Sequence, residues 1–380
     1  MDISLQIDPD IVIGVDTVNR AGSICGGFGS RVLIVAEQVL YENKSIERLT
    51  AILEDTGLDT IVFDEIPDQA TADVAEAAAV LAQGARCSAI IGFGGLKTQS
   101  IARITAMIVK TGIDIFELLD GSKPRGEFIP YIAIPTTGHD PFLFSRQFVA
   151  IDPRDRSVKL IKSPQGLCVA AIVDGGLSES LSEKFASTTA FDGFCTSVEA
   201  YCSAKASFLS DALLEQAIVI YTQMMDSYVD NKTFDMAEGA THAYLLTSLG
   251  CLISSPGIGT ALAFALNGRF HVAKSWCSTI LLPYVLEKLV AARPKKLAKI
   301  AALMGEATMG TSVGESANMA VDSIRRRMEF LKVPTSLKDY NLSLDRMVST
   351  AESARDLEFV ASSPWTVSAE DAYDLLKQAF

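Results

Sequence analysis

The sequence contains no cysteine pair at the spacing of a metal knuckle or a redox motif. Its seven cysteines are scattered, and no two of them form a CxxC pattern. An odd, irregular set is typical of reduced thiols in the cytosol and argues against a disulfide framework. The opening MDISLQIDPD also lacks the basic start and apolar core of a signal peptide. We therefore expect a cytoplasmic protein.

Long apolar runs and basic surfaces are also missing. No apolar run reaches the roughly 18 residues of a membrane span, and the best candidate, 245–266, is interrupted by Ser254-Ser255-Pro256-Gly257. The formal net charge is −13. The closest basic cluster, Arg325-Arg326-Arg327, lies in a helical pattern typical of a solvated face. We expect a small-molecule substrate, and neither a membrane nor a nucleic acid as partner.

At 380 residues the chain is long enough for two hydrophobic cores. Its first half alternates short buried runs with helical spacing, which predicts βαβ units around a parallel sheet. The predicted strands are Arg31–Ala36, Asp59–Phe63, Ser88–Ile91, Tyr131–Ile134, Val158–Ile161 and Cys168–Val173. The predicted helices between them are Ile46–Leu53, Ala70–Leu81 and Thr98–Val109.

The composition and hydrophobic spacing of the sequence change after Asp174. From there to the C-terminus, alanine, leucine and serine recur at helical spacing. We place the domain boundary at Asp174-Gly175-Gly176. The prediction is a Rossmann-like α/β domain with a parallel sheet over residues 1–174, and an all-α domain over residues 175–380. We expect the two domains to pack closely, with a cleft between them.

A glycine loop, Ile90–Lys97, lies between a predicted strand and a predicted helix. Gly94 and Gly95 would let the backbone approach a pyrophosphate, and the helix N-terminus offers free N–H groups and the positive end of its dipole. Lys97 adds a charge that suits phosphate oxygens. Loops of this composition also form tight turns that bind nothing, so both interpretations stay open.

An acidic residue, Glu37, follows the first strong strand. An acid at this position can accept hydrogen bonds from the ribose hydroxyls of NAD and repel the extra phosphate of NADP. The alternative is an exposed loop glutamate without a ligand. Together with the glycine loop, Glu37 predicts NAD as the cofactor in preference to NADP.

Several segments, in this order and spacing, resemble the iron-containing alcohol dehydrogenase family, within the dehydroquinate synthase-like fold. In the first half, Ile91–Lys97 with Ala102-Arg103 resembles the family's GGGSxxDxAK loop, Ile134–Gly138 the start of PTTxGTGSE, and Val173–Leu177 the DPxL junction. In the second half, Phe191-Asp192 with Glu199–Tyr201 resembles GxDAxxHxxEAY, and Leu281–Pro283 the end of PHGxxxAxLLP. The closing pattern is matched by Pro334–Leu337, Ser363-Pro364 and Ser368–Asp371.

The resemblance implies an NAD(P)-dependent oxidoreductase that transfers a hydride between a nicotinamide and an alcohol or aldehyde. Thr136 and Thr137 would lie beside the nicotinamide, and Glu37 stands at the family's NAD-selecting aspartate. The family's metal is held by one aspartate and three histidines in the cleft. Family members also imply a homo-oligomer, such as a dimer.

The sequence departs from the family at the metal ligands. Asp192 stands at the ligand aspartate, but the ligand histidines become Thr196, Thr260 and Lys274, and Phe264 replaces the other histidine of GxxHxxxH. A divalent iron or zinc site needs about three or four N, O or S ligands, and an ammonium repels the ion. The chain's histidines lie elsewhere, at His139, His242 and His271. We therefore expect no catalytic metal.

The favoured hypothesis is a metal-independent, NAD-linked oxidoreductase in which Lys274 replaces the metal as the electrophile. A fixed ammonium polarises a carbonyl and stabilises an alkoxide. Asp192 would orient it, and His139, His271 or Thr260 would relay protons. Each residue also has a structural interpretation: a salt-bridged lysine, a surface histidine at 271, and a locally bonded loop histidine at 139.

Two other hypotheses stay open. A catalytically inactive nucleotide-binding or scaffold protein would explain the lost ligands, although it gives no reason for a lysine in a buried cleft. A non-redox cyclase or lyase of the dehydroquinate synthase type would share the fold, but it too uses a metal. For the oxidoreductase, the positive charge of Arg269, His271 and Lys274 favours an anionic or polyhydroxylated substrate, such as a sugar acid or a phosphorylated aldehyde.

Overall fold

The computed structural model describes residues 5–68, 70–137, 140–178, 183–230, 236–340, 342 and 344–380. The chain divides into two compact units. The N-terminal unit comprises residues 6–180, and the C-terminal unit comprises residues 181–380 together with residues 1–5. The sequence places the corresponding boundary at residue 174.

The described part of the N-terminal unit alternates strands and helices. The strands are β1 (Asp10–Ile13), β2 (Arg31–Ala36), β3 (Asp59–Phe63), β4 (Ala89–Gly94), β5 (Tyr131–Pro135), β6 (Gln147–Ile151), β7 (Val158–Lys162) and β8 (Cys168–Val173). The helices are α1 (Ala21–Cys25), α2 (Val39–Glu42), α3 (Ser45–Glu54), α4 (Val74–Gly84), α5 (Leu96–Thr111) and α6 (Ile115–Leu119). Short 3-10 turns span Thr17–Arg20 and Gly175–Ser178.

Six of these strands form one parallel sheet in the order β1-β8-β5-β4-β2-β3. β4 and β5 are buried along their whole length, which is typical of the inner strands of a parallel sheet. Ile34 and Ile91 of the sheet share one apolar core with Leu49 of α3. This architecture confirms the predicted Rossmann-like α/β fold.

The order of the strands creates a switch point between β2 and β4. The chain passes from β2 outward to β3, and then returns to β4 on the other side of β2. Ligands of open α/β sheets bind outside the carboxyl ends of the strands at such a point. The fold therefore directs attention to the residues that follow β2, β4 and β5.

The structure corrects the predicted elements at three places. β1 is not predicted from the sequence, because it is a four-residue edge strand with exposed or partly exposed residues. β6 is not predicted either, and it pairs antiparallel with β7, so the predicted strand at 158–161 lies outside the parallel sheet. The helix predicted from Ala70 begins at Val74, because the Ala72 N–H donates to the Ile151 carbonyl instead of starting the helix.

In the part of the C-terminal unit that the structure describes, the regular elements are helical, as predicted. They are α7 (Glu183–Cys202), α8 (Phe208–Asp230), α9 (Met236–Ile253), α10 (Ile258–Phe270), α11 (Lys274–Ala292), α12 (Pro294–Leu303), α13 (Val313–Leu331), α14 (Leu344–Arg355) and α15 (Ala369–Ala379), with 3-10 turns at Leu337–Tyr340 and Glu358–Ser362. α7, α10 and α11 pack against one another. The polar candidate site residues of this unit lie on the sides of α7, α10 and α11 that face one another.

Two features of this unit bear on possible partners. Among the described residues, no single helix is long and apolar enough to cross a membrane; Glu238–Ile253 and Ile258–Phe270 reach that composition only together, and they are bent by 109°. The run Arg325-Arg326-Arg327 is paired with acids, namely Glu287, Glu306 and Asp226 in that order. Only 12% of the Arg327 side chain is exposed, so the expectation of a solvated face is wrong at that residue.

Candidate active site

Three strand ends of the N-terminal unit bring predicted cofactor-binding residues to one edge of the sheet. Glu37 follows β2, Gly94 and Gly95 connect β4 to α5, and Thr136 follows β5. β2, β4 and β5 are neighbours, and the Thr136 N–H donates to the Gly94 carbonyl at 3.2 Å. Because the carboxyl ends of parallel strands meet at one edge, residues far apart in sequence become adjacent at the switch point.

The Glu37 carboxylate closes the first turn of α5. Its Oε1 accepts hydrogen bonds from the Gly95 N–H at 3.1 Å and from the Thr98 hydroxyl at 2.6 Å. Unpaired N–H groups and the helix dipole favour a carboxylate at this position. Both bonds reach the same oxygen, so within the described residues the second oxygen keeps its capacity to accept a bond. That capacity suits a ribose hydroxyl.

The loop before α5 is closely packed and offers donors of the kind that a pyrophosphate needs. A Cβ at Gly95 would lie 2.9 Å from the Thr137 hydroxyl oxygen, and a Cβ at Gly94 would lie 2.8 Å from that of Thr98. A side chain at either position would therefore displace Thr98 or Thr137, which explains why both residues are glycine. The Thr137 hydroxyl is buried without a hydrogen-bond partner in the described chain, which is unusual. With the first-turn amides of α5, these features fit a dinucleotide phosphate.

Lys97 makes a contact that the sequence does not predict. Its ammonium donates to the Pro67 carbonyl at 3.2 Å. Lys97 therefore ties the start of α5 to the segment that follows β3. A contact between Lys97 and a phosphate stays a prediction, because it requires the ammonium to leave or share this bond.

Arg103 of α5 holds the segment that follows Thr137. The guanidinium is buried and donates to backbone carbonyls between residues 142 and 147, including a 2.8 Å bond to Leu143. It also lies 5.6 Å from the ring centroid of Tyr131 and 5.4 Å from that of Phe148. These contacts offset the cost of burying the cation. In the sequence, Arg103 is noticeable only because it belongs to the motif that resembles the family's phosphate loop. That membership does not predict which residues its side chain contacts.

In the C-terminal unit, Lys274 and Asp192 form a buried ion pair. The ammonium, at the first residue of α11, lies 2.8 Å from Oδ1 and 2.9 Å from Oδ2 of Asp192 on α7. The two side chains are 5% and 0% exposed. A buried charge requires a partner of opposite sign. Each of these residues therefore supplies the other's counter-ion.

The other positions aligned with the family's ligands lie around this pair. The Lys274 ammonium lies 4.8 Å from the ring centroid of Phe264 on α10, within the range of a cation–π interaction. One turn earlier on α10, the Thr260 hydroxyl lies 3.2 Å from the hydroxyl of Thr196. Thr196 in turn follows Asp192 by one turn of α7. These positions therefore converge on the facing sides of α7, α10 and α11.

Glu199 of α7 is a buried residue that the sequence does not single out as functional. Its carboxylate accepts hydrogen bonds from the N–H groups of Gly257, Gly259 and Thr260 at 3.2, 2.6 and 2.9 Å, and from the Thr260 hydroxyl at 2.7 Å. Burial raises the pKa of the Glu199 carboxyl, and these hydrogen bonds oppose the rise. Glu199 therefore closes the N-terminus of α10, as Glu37 closes that of α5.

These residues do not fit a divalent metal. Both oxygens of Asp192 accept hydrogen bonds from an ammonium, and the hydroxyls of Thr196 and Thr260 are weak ligands that bond to each other. Across the described ranges, no three His, Cys, Asp or Glu side chains are grouped in a way that could hold a metal ion. Iron and zinc sites draw their ligands from such groups.

Of the two histidines predicted to relay protons, His271 lies within the described residues. His271 follows α10 in a left-handed conformation, with φ at 61°, and its side chain is exposed, whereas Lys274 is buried. Arg269 donates to the Ser349 hydroxyl at an exposed position. His139 lies outside the described residues. A proton-relay role for either histidine stays a prediction.

Family models match almost the whole chain. Residues 8–175 match the model described as iron-containing alcohol dehydrogenase. Residues 186–380 match the model of the C-terminal part of the Fe-containing alcohol dehydrogenase family. These matches confirm the resemblance that the motifs indicate.

Individual relatives are distant in sequence but similar over their full length. The NAD-dependent methanol dehydrogenase of Bacillus methanolicus is 23% identical over 378 residues, which are 98% of this chain and 98% of that protein. A structure of 1,3-propanediol oxidoreductase has a TM-score of 0.92 at 21% identity and covers 100% of both chains. Sulfoacetaldehyde reductase from Bifidobacterium kashiwanohense, in complex with NAD+, has a TM-score of 0.85 at 16% identity and covers 100% of this chain and 99% of its own. The structural likenesses confirm the predicted fold.

Proposed function

Because the chain belongs to the iron-containing alcohol dehydrogenase family and is an alcohol dehydrogenase-like oxidoreductase, we propose that it exchanges a hydride between NAD(H) and a small alcohol or aldehyde without a metal ion. The N-terminal unit binds the dinucleotide at the carboxyl ends of β2, β4 and β5. The C-terminal unit supplies the charge that activates the carbonyl.

The observation that carries this proposal is the buried ion pair at two of the family's ligand positions. The Lys274 ammonium is held by both oxygens of Asp192, and both residues align with ligands of the family's metal, so the proposal assigns the role of the metal to this positive charge. Such a charge polarises a carbonyl and stabilises the alkoxide that forms on hydride transfer. Asp192 orients the ammonium and balances its charge. A purely structural pair would not need to lie at these two positions.

NAD is proposed over NADP because of Glu37. Its carboxylate lies at the first turn of α5, where it suits ribose hydroxyls and repels a 2′-phosphate. Two relatives support this choice: the methanol dehydrogenase is named as NAD-dependent, and the sulfoacetaldehyde reductase was solved with NAD+. The proposed cofactor site also includes Gly94, Gly95 and the unpartnered Thr137 hydroxyl.

The central test is turnover by the Lys274→Met variant. Wild-type protein should form NADH from at least one member of a panel of small alcohols, diols and sugar acids. Lys274→Met should abolish turnover, because the alkoxide loses its charge partner, while NADH affinity measured by fluorescence titration stays within a few-fold. The matched control is Lys288→Met on the same helix, where the lysine pairs with Asp371 at 3.4 Å and is partly exposed; it should stay active.

Two results would contradict the proposal. Full turnover by Lys274→Met would show that Lys274 takes no part in the reaction. NADH binding without turnover of any substrate by the wild-type protein would favour the inactive nucleotide-binding alternative.

Metal content provides a second test. Only Asp192 remains of the four family ligands, so purified protein should hold iron and zinc well below one ion per chain after dialysis against a chelator. Elemental analysis measures this, and activity before and after the chelator should be equal. One tightly held ion per chain would mean that other residues bind a metal.

A further inference from the structure

The proposed electrophile cannot also be the base of the reaction. Oxidation of an alcohol removes a hydride from carbon and a proton from the hydroxyl. The Lys274 ammonium already carries its proton, and both oxygens of Asp192 accept hydrogen bonds from it. A separate group must therefore accept the hydroxyl proton.

The buried hydroxyls of Thr196 and Thr260 link the Glu199 carboxylate to the neighbourhood of the Lys274–Asp192 ion pair. Three backbone N–H groups donate hydrogen bonds to Glu199. Because a backbone N–H can only donate, the Glu199 oxygens must be the acceptors in these bonds. The Thr260 hydroxyl donates to Glu199 Oε2 at 2.7 Å. Since its proton is used there, its oxygen accepts from the Thr196 hydroxyl at 3.2 Å. The hydrogen bonds thus run in one direction, from Thr196 through Thr260 to Glu199.

Thr196, the first residue of this proton path, lies one helical turn from Asp192 of the ion pair, and Thr260 lies one turn from Phe264, whose ring faces the Lys274 ammonium. Thr196 follows Asp192 by four residues on α7, and Thr260 precedes Phe264 by four residues on α10. One turn of a helix rises about 5.4 Å, which is close to the span of two hydrogen bonds of about 2.8 Å end to end. In the proposed complex, an alcohol oxygen that accepts from Lys274 bridges this spacing to Thr196.

We propose that Thr196, Thr260 and Glu199 form the proton path of alcohol oxidation, an inference that rests on the proposed function. The hydride leaves the carbinol carbon with its electron pair for the oxidised nicotinamide, and the C=O bond forms. The hydroxyl proton moves to Thr196, the Thr196 proton to Thr260, and the Thr260 proton to Glu199, which becomes a neutral carboxyl group. Thr196 contacts the substrate, and Thr260 and Glu199 act through it.

The surroundings of Glu199 suit a terminal proton acceptor. Burial raises its pKa, so the carboxyl holds a proton more readily than an exposed glutamate does. The titratable neighbours on the same helix include Tyr201, Cys195 and Cys202, and burial raises the pKa of the Tyr201 hydroxyl and of both thiols, that of Cys202 to about 12. Both thiols therefore stay neutral. The start of α10 presents backbone amides and the Thr260 hydroxyl, and the charges of the Lys274–Asp192 pair balance each other.

The test compares three threonine-to-valine variants in the full-length protein. Thr196→Val and Thr260→Val should lower kcat for alcohol oxidation by about 100-fold, the usual contribution of general base catalysis, without changing KM or NAD affinity. The increase of kcat with pH that reports a base should disappear in both variants, and Thr196→Ser should restore it. The control is Thr247→Val, a buried threonine of α9 that bonds to the Ser197 hydroxyl at 2.8 Å outside the path; it should keep wild-type kcat and pH dependence.

The outcomes separate the path from the proposed function. If the wild-type protein turns over an alcohol and Thr196→Val behaves like Thr247→Val, the path is wrong and the function stands. Loss of kcat that Thr196→Ser does not restore also overturns the path. If the wild-type protein oxidises no alcohol, both the function and the path are overturned.

Discussion

Two glutamates in this protein accept hydrogen bonds from backbone N–H groups at helix N-termini. Glu37 accepts from the Gly95 N–H at α5, and Glu199 accepts from three N–H groups at α10. The environments differ, because Glu37 is partly buried whereas Glu199 is only 4% exposed. Glu37 therefore remains available to a ligand, whereas Glu199 contacts the N–H and the hydroxyl of Thr260.

Glu37→Gln tests the cofactor choice while keeping one oxygen for the Gly95 N–H. Hydrogen bonds to charged groups contribute about 1.5–3 kcal/mol, so affinity for NAD should fall about tenfold or more. Affinity for NADP should fall less or rise, because the repulsion of the 2′-phosphate is removed. Isothermal titration with both cofactors measures this, with the exposed Glu117→Gln as control. Tighter binding of NADP by the wild-type protein would contradict the assignment.

The energetic role of the buried ion pair is tested by a double-mutant cycle. Asp192→Asn leaves an ammonium without a counter-ion and should lower the free energy of unfolding by about 3–5 kcal/mol. Replacing both residues, as Asp192→Leu with Lys274→Met, should cost less than either single change, because no charge is left buried. Urea unfolding measures both. In the exposed pair of Arg31 and Asp59, Asp59→Asn should cost less than about 1 kcal/mol; equal costs at the two pairs would show that the inner pair is not desolvated.

At the scale of elements, α7 depends on a close approach to α8. Gly193 follows Asp192 directly, and a methyl group there would overlap the ring of Tyr221 on α8. Glycine at this position therefore sets how near the two helices lie. Because Asp192, Thr196 and Glu199 share α7, this approach also fixes where they face α10 and α11.

Gly193→Ala should destabilise the protein by about 1–3 kcal/mol, the usual cost of overpacking a core. Gly314→Ala is the matched control in the same unit, because nothing lies within 4 Å of a Cβ there and the residue is in the first turn of α13. It should be neutral or stabilising by up to about 1 kcal/mol. Thermal unfolding followed by circular dichroism measures both. A neutral Gly193→Ala would mean that α7 and α8 can separate freely.

At the scale of the whole molecule, all seven cysteines are buried and free. Burial raises the pKa of Cys25, Cys168 and Cys202 to about 12. Since the thiolate is the reactive form, the native protein should react only slowly with a chromogenic disulfide at mildly alkaline pH. After unfolding in urea, seven thiols should react rapidly. Fast reaction of one thiol in the native state would show that a cysteine is accessible.

The sequence by itself determined the fold class and pointed to three candidate site residues. Alternating strands and helices followed by helical spacing specify an α/β domain and a helical domain, because the periods of hydrophobic residues differ between strand and helix. The motifs around Asp192 and Pro283 locate Asp192 and Lys274 by counting alone. Glu37 is selected on a different ground, because it follows a strong strand.

Only the tertiary structure decided which residues meet. Lys274 and Asp192 are separated by 82 positions, and Glu199 contacts Thr260 across 61. In a helical run, Glu199 has the pattern of an exposed glutamate; it leaves water only because α10 begins against α7. β1 is missed for the same reason, since it is a short strand whose pairing partner, β8, lies about 160 residues away in the sequence. Periodicity is a local property, whereas burial and hydrogen bonding depend on contacts made after the chain has folded.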